Sequence, residues 1–142
     1  MKHKSIRSIL LAFLLSTIIV CGCNTIAHFD QTAYNQIVSV EADALTLMDK
    51  ATDDFSKHER EVDEFSTKMT KAYLYDKNRP KNLISDKMWE LMIDPGGHLL
   101  GGFLKRWKSE KKLGKAFVEE SKKLVQENFD RIAQLESKKI KS

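Results

Sequence analysis

The chain has 142 residues, with 24 Lys and Arg against 20 Asp and Glu, a formal charge of +4 and a mean hydropathy of −0.41. That length suits one domain with a modest core. Both cysteines, Cys21 and Cys23, fall near the start. The body of the chain therefore has no disulfide and no cysteine-based metal site, and packing must hold it together.

The first predicted element is a targeting segment. Lys2, Lys4 and Arg7 form a positive start, and Ile9 to Val20 is an apolar core broken only by Ser16 and Thr17. As a helix rising ~1.5 Å per residue, that core spans about 18 Å, short of the roughly 30 Å hydrocarbon layer of a bilayer. It ends in Val20-Cys21-Gly22-Cys23. The order of an aliphatic residue, a smallish one, a small one and cysteine resembles the lipobox of a bacterial lipoprotein signal peptide. The resemblance covers residues 1–23. It implies cleavage by signal peptidase II between Gly22 and Cys23, with Cys23 acylated by fatty chains such as palmitate. Size selects Cys23, because a cut before Cys21 would put β-branched Val20 where only a small residue fits. The competing reading of the same stretch is an uncleaved N-terminal membrane anchor.

By the same resemblance the mature chain is held at the cell envelope, outside the cytoplasm, by its N-terminal lipid. Asn24 after the lipidated cysteine implies sorting to the periplasmic side of the outer membrane in a Gram-negative host. Three bases leave with residues 1–22 while all 20 acids stay, so the charge falls from +4 to +1. Such a balance gives little support to nucleic-acid binding. Residues 23–29 form the lipidated end and a short tether: Asn24 to Phe29 reach at most about 20 Å at ~3.5 Å each. The helical domain predicted over 30–142 is thus expected to sit against the membrane face.

No Gly or Pro occurs between Asp30 and Lys77. Apolar residues there recur every seven positions: Tyr34, Met48, Phe55, Val62 and Met69 on one seam, Ile37, Ala44, Ala51, Phe65 and Ala72 on the other. Val38, Leu45 and Tyr73 widen the stripe, and Glu41 and His58 are its polar exceptions. The pattern predicts one long amphipathic helix, bent near 53–56, packed in an intramolecular bundle. Ser56-Lys57-His58-Glu59 reads as a capping box and offers the alternative of a break. Pro80 ends the helix, since it disfavours helical backbone at Arg79.

Ser85 is the predicted N-cap of a short helix, Asp86 to Ile93. Asp94-Pro95-Gly96-Gly97 predicts a tight turn with a glycine at positive φ. A helix over His98 to Lys112 follows, closed near Gly114. The last helix runs from Lys115 to Lys139, with Phe117, Val118, Leu124, Val125, Ile132 and Leu135 on its apolar face. No strand-period segment of useful length appears, so the fold class is all-α: a small bundle of the long helix, a central helical hairpin and the C-terminal helix.

Charge is unevenly spread. Between Glu41 and Glu64 nine acids face three bases, and between Lys105 and Lys115 six bases face Glu110 alone. Solvated faces attracting one another across the bundle account for this more simply than a lipid-binding patch does.

Catalytic chemistry finds no purchase. His58-Glu59-Arg60-Glu61-Val62 begins like a zinc-protease helix, but Val62 stands where the second histidine belongs. His28 and His98 are isolated, and Ser66, Thr67 and Ser121 have no histidine at a useful spacing. Gly96 to Gly102 lacks the Lys-Ser/Thr of a phosphate loop. No catalytic residue, metal ligand or cofactor is assigned. The most distinctive mature stretch is the hairpin from Met88 to Lys108, which holds both tryptophans. Its aromatics read first as core. Trp89, Phe103, Lys105, Arg106, Trp107 and Lys108 are also the candidate residues for contact with a partner or with lipid. The functional expectation is a non-enzymatic envelope lipoprotein that binds or scaffolds an envelope protein. The alternatives are a lipid-contacting protein acting through this hairpin and, behind it, a small envelope hydrolase.

Overall fold

The computed structural model describes residues 27–139. Five helices carry the fold: α1 (Gln31–Asp49), α2 (Glu59–Lys77), α3 (Leu83–Ile93), α4 (Leu100–Glu110) and α5 (Lys115–Lys138), with no strand among the described residues. The all-α reading holds. Val20, Cys21, Gly22 and Cys23, read above as a lipobox, the predicted signal segment and the first part of the predicted tether lie outside the described residues.

The single long helix does not form. Residues 30–77 fold as an antiparallel pair, α1 and α2, joined by two short 3₁₀ turns, Lys50–Thr52 and Phe55–Lys57. The break is backbone geometry: Asp53 and Asp54 take extended conformations, with ψ of 167° and 127°. The cap there is Asp54, not Ser56, since its carboxylate accepts the Ser56 N–H at 3.1 Å. The seven-residue beat survives because the corner itself is core: Ala51 and Phe55 are buried, as are Met48 before it and Val62 after it. Two backbone bonds pin this corner to the loop after α4. Phe55 N–H donates to Lys111 C=O and Leu113 N–H to Ala51 C=O, each at 2.8 Å.

α1 lies between α2 and α5 and packs along both; α3 covers α2 and α5 on another side, and α4 closes the corner. Each helix of the α1–α2 pair runs about 28 Å at ~1.5 Å per residue, a length a compact domain accommodates. Asp30 starts α1 by accepting the Ala33 N–H at 2.9 Å, satisfying one of the free donors of the first turn. The core collects Ile37, Val40, Met48, Trp89, Met92, Leu100, Trp107, Val118, Val125, Phe129 and Ile132, all essentially without exposure.

Several boundaries move from their predicted places. α3 starts at Leu83, so Ser85 is not its cap but a buried residue of the first turn whose hydroxyl has no partner among the described residues. The 94–97 turn closes through Asp94, whose carboxylate accepts the Gly96 N–H at 2.8 Å, and neither of its glycines takes a positive φ. α4 is shorter than 98–112. It ends through Lys111 at φ 66°, while Gly114 stands before α5 rather than after α4. On α5, Leu124 is 45 % exposed, outside the buried stripe of Val118, Val125, Phe129 and Ile132.

The glycines of the hairpin serve close approach. A Cβ on Gly101 would lie 2.2 Å from Ile93 C=O, and one on Gly102 would lie 1.9 Å from Gly97 C=O. Only glycine lets α4 fold back this tightly onto the end of α3.

Candidate functional site

The tether enters the bundle at a buried cluster of charge. Ala27 N–H donates to Lys81 C=O at 3.0 Å, and His28 C=O accepts from Arg79 at 2.5 Å. Arg79 lies two residues beyond α2 and grips α5: its two terminal nitrogens donate to the two oxygens of Glu136, each at 2.8 Å. The same guanidinium donates to Asp76 at 2.7 Å. Glu136, fully buried, also accepts the Asp30 N–H at 2.8 Å and the Lys139 ammonium at 2.5 Å. Asn82 ties in the α3 entry, donating to Asp76 C=O at 2.9 Å and accepting from Lys139 at 2.7 Å. Asp76 finally takes the Trp89 indole N–H at 3.0 Å.

Electrostatics follow from these bonds. Burial pushes the Glu136 carboxyl up, but the bonds from Arg79 and Lys139 outweigh it and hold the group below its ordinary value. Burial alone would lower Arg79, yet its two carboxylate partners raise it. Asp30 is lowered by the bond from Ala33 N–H, which outweighs its desolvation, and then by Tyr75 and Arg79. The cluster joins residues 27–30, α1, α2, α3 and α5. Its work is mechanical: it fixes the direction from which the chain enters the bundle.

Of these residues the sequence singled out Trp89 as a hairpin aromatic, Arg79 only as the residue before Pro80 and His28 only as isolated; Asp76 and Glu136 did not stand out. One signal was present. Asp76 lies four residues after Ala72 and seven after Met69, and Glu136 lies four after Ile132 and seven after Phe129. Each acid falls on the buried stripe of its helix, where a charge needs a partner.

The structure divides the six residues proposed for contact at the hairpin. Trp89 and Trp107 have no exposure and Phe103 is buried, while Lys105, Arg106 and Lys108 are exposed. Trp89 packs edge-on against Phe129 at 5.9 Å. Trp107 packs edge-on against Phe55 at 5.3 Å and donates its indole N–H to Asp53 C=O at 3.0 Å, which seats the 3₁₀ corner. Phe103 stacks on Phe117 at 6.1 Å, with Arg106 over the outer ring at 4.2 Å. Arg106 also pairs with Glu110 at 2.8 Å, and Lys108 reaches toward Glu59 at 4.0 Å. The attraction expected between the acidic and basic stretches is visible in that last pair.

His58 lies under Trp107, ring centres 5.6 Å apart, with Nδ1 3.2 Å from Glu61. Its Nε2 is buried without a hydrogen-bond partner, 3.7 Å from the Asp53 carboxylate. Among the described residues no three His, Cys, Asp or Glu side chains are placed to hold a metal ion. No described helix is long and apolar enough to cross a membrane.

No family model, curated protein or solved structure matches this chain.

Proposed function

We propose that this chain is a lipid-anchored lipoprotein of the bacterial envelope, acylated at Cys23, whose helical bundle binds or scaffolds another envelope protein without performing chemistry. The lipobox-like Val20-Cys21-Gly22-Cys23 motivates the anchor. The observation that carries the reading is the fastening of Ala27 to Asp30 by Lys81, Arg79 and Glu136. Only three residues separate Cys23 from Ala27, so the anchored end leads into a rigid attachment rather than a roaming linker. A bundle held this way keeps a defined end toward the membrane and presents the rest to partners. The carboxylates of its buried charge cluster, Asp76 and Glu136, are locked in bonds to Arg79 and Lys139 rather than poised for chemistry.

Metabolic labelling with a palmitate analogue and membrane fractionation test the anchor. Cys21→Ala should remain labelled and membrane-bound, whereas Cys23→Ala should lose the label. Crosslinking in intact cells, followed by detergent extraction, then tests the partner. A single recurrent envelope protein crosslinked to the bundle supports the scaffolding role.

A further inference from the structure

We infer that the outer face of α3 rests in the membrane interface beside the lipid anchor and fixes the bundle's orientation on the bilayer. The inference rests on acylation of Cys23 and adds a second, non-covalent contact. The three most exposed large apolar side chains of the described structure all belong to this eleven-residue helix: Leu83 at 76 %, Leu91 at 64 % and Ile84 at 62 %. At 100° per residue, Leu83, Lys87, Leu91, Ile84 and Met88 fall side by side on one arc. The opposite arc carries Ser85, Trp89 and Met92, all buried against the bundle. A helix apolar on both faces is ordinarily covered on both. Here one face has no cover among the described residues.

Chain length says what covers it. Ala27 is hydrogen-bonded to Lys81, two residues before Leu83. Four residues from Cys23 to Ala27 reach at most about 14 Å, and the bonded step and the two residues to Leu83 add roughly 12 Å. However the intervening chain runs, Leu83 stays within about 25 Å of the acylated cysteine, less than the thickness of one bilayer. The buried cluster at Arg79 keeps the tether on this end of the bundle. Exposed Lys81 precedes the apolar arc and exposed Lys87 lies within it, between Leu83 and Leu91, both placed to reach head groups while their stems lie along it. Glu90 also borders the arc, but it is bonded to Lys87 at 2.6 Å and lies 4.0 Å from Lys77. Asp86 is half-buried.

The test uses the full chain, matured in a bacterial host and reconstituted into vesicles of phosphatidylethanolamine and phosphatidylglycerol. Ile84→Cys and Leu91→Cys each carry a nitroxide on the outer face of α3. Lys57→Cys carries one at the opposite end of the α1–α2 pair. Paramagnetic relaxation compares collision with oxygen, which enters lipid, against a water-soluble nickel chelate. At 84 and 91 the oxygen-to-nickel ratio should exceed that at 57 several-fold. Labels at 84 and 91 as open to nickel as that at 57, on protein whose Cys23 is acylated by mass, would overturn this proposal and leave the anchor standing. Labels shielded from both reagents would also overturn it, in favour of a protein partner or a second copy. A mass without acyl chains on Cys23 would remove the anchor, and this inference with it.

Discussion

Arg79 and Glu136, 57 residues apart in sequence, meet through two parallel hydrogen bonds of 2.8 Å each. The pair is fork to fork, with the carboxylate fully buried and the guanidinium nearly so. It joins the exit of α2 to the last turn of α5, and through Asp30 N–H and His28 C=O it takes hold of the incoming tether.

Removing one partner of such a pair is the costly change. Arg79→Ala leaves Asp76 and Glu136 buried with less positive charge beside them, and it should destabilise the domain by about 3–5 kcal/mol. Arg79→Lys should recover only part of this, since an ammonium cannot reproduce the planar fork. Urea unfolding followed by circular dichroism measures both. A loss below about 1 kcal/mol for Arg79→Ala, the range of a surface pair, would show that the cluster is not structural.

The pH dependence has a definite sign. Glu136 is held below its ordinary value of 4.5. Its contribution is therefore present above that value and is lost as the pH falls through the lower, folded-state value. Stability should decline on acidification below about pH 4.5, and Glu136→Gln should flatten this acid limb. Thermal unfolding between pH 3 and 7 reads the slope. An equally steep limb in the variant would assign the acid sensitivity to other carboxylates.

Close approach at the hairpin gives a third expectation. Gly101→Ala places a methyl 2.2 Å from Ile93 C=O, backbone that cannot swing aside as a flexible side chain would. The substitution should cost about 1–3 kcal/mol or more through forced backbone shifts. Ala at Gly114, where nothing lies within 4 Å, is the control and should change little.

The tryptophans test whether the α4 end of the hairpin contacts lipid. Both are fully buried, so emission of the folded protein should be blue-shifted and should not change when anionic vesicles are added. A salt-sensitive blue shift confined to Trp107 would instead bring the α4 end of the hairpin, with Lys105, Arg106 and Lys108, into lipid contact.

What the sequence made legible was local. Periodicity identified the helical class, Pro80 marked the end of α2, and the bounds of α5 came out within a residue. The break between α1 and α2 was hidden because Ala51 and Phe55 in the corner stay in the core and continue the beat. An antiparallel pair and one long helix ask for the same apolar spacing. The charge cluster was harder still. Glu136 falls on the buried stripe of α5 and so calls for a partner, but no local pattern records that the partner is Arg79, from another helix exit. The outer face of α3 was obscured differently. Leu83 and Ile84 precede the helix predicted from Asp86, and only the earlier start at Leu83 brings them onto one arc with Leu91.

The proposed anchoring requires Cys23 to be the acylated first residue of the mature protein. Mass spectrometry of the N-terminal peptide from membrane-extracted protein tests it most directly. The expected result is a peptide beginning at Cys23 and carrying the mass of diacylglyceryl, with or without a third acyl chain. A peptide that retains residues before Cys23, an unmodified Cys23, or acyl chains on Cys21 would contradict the account.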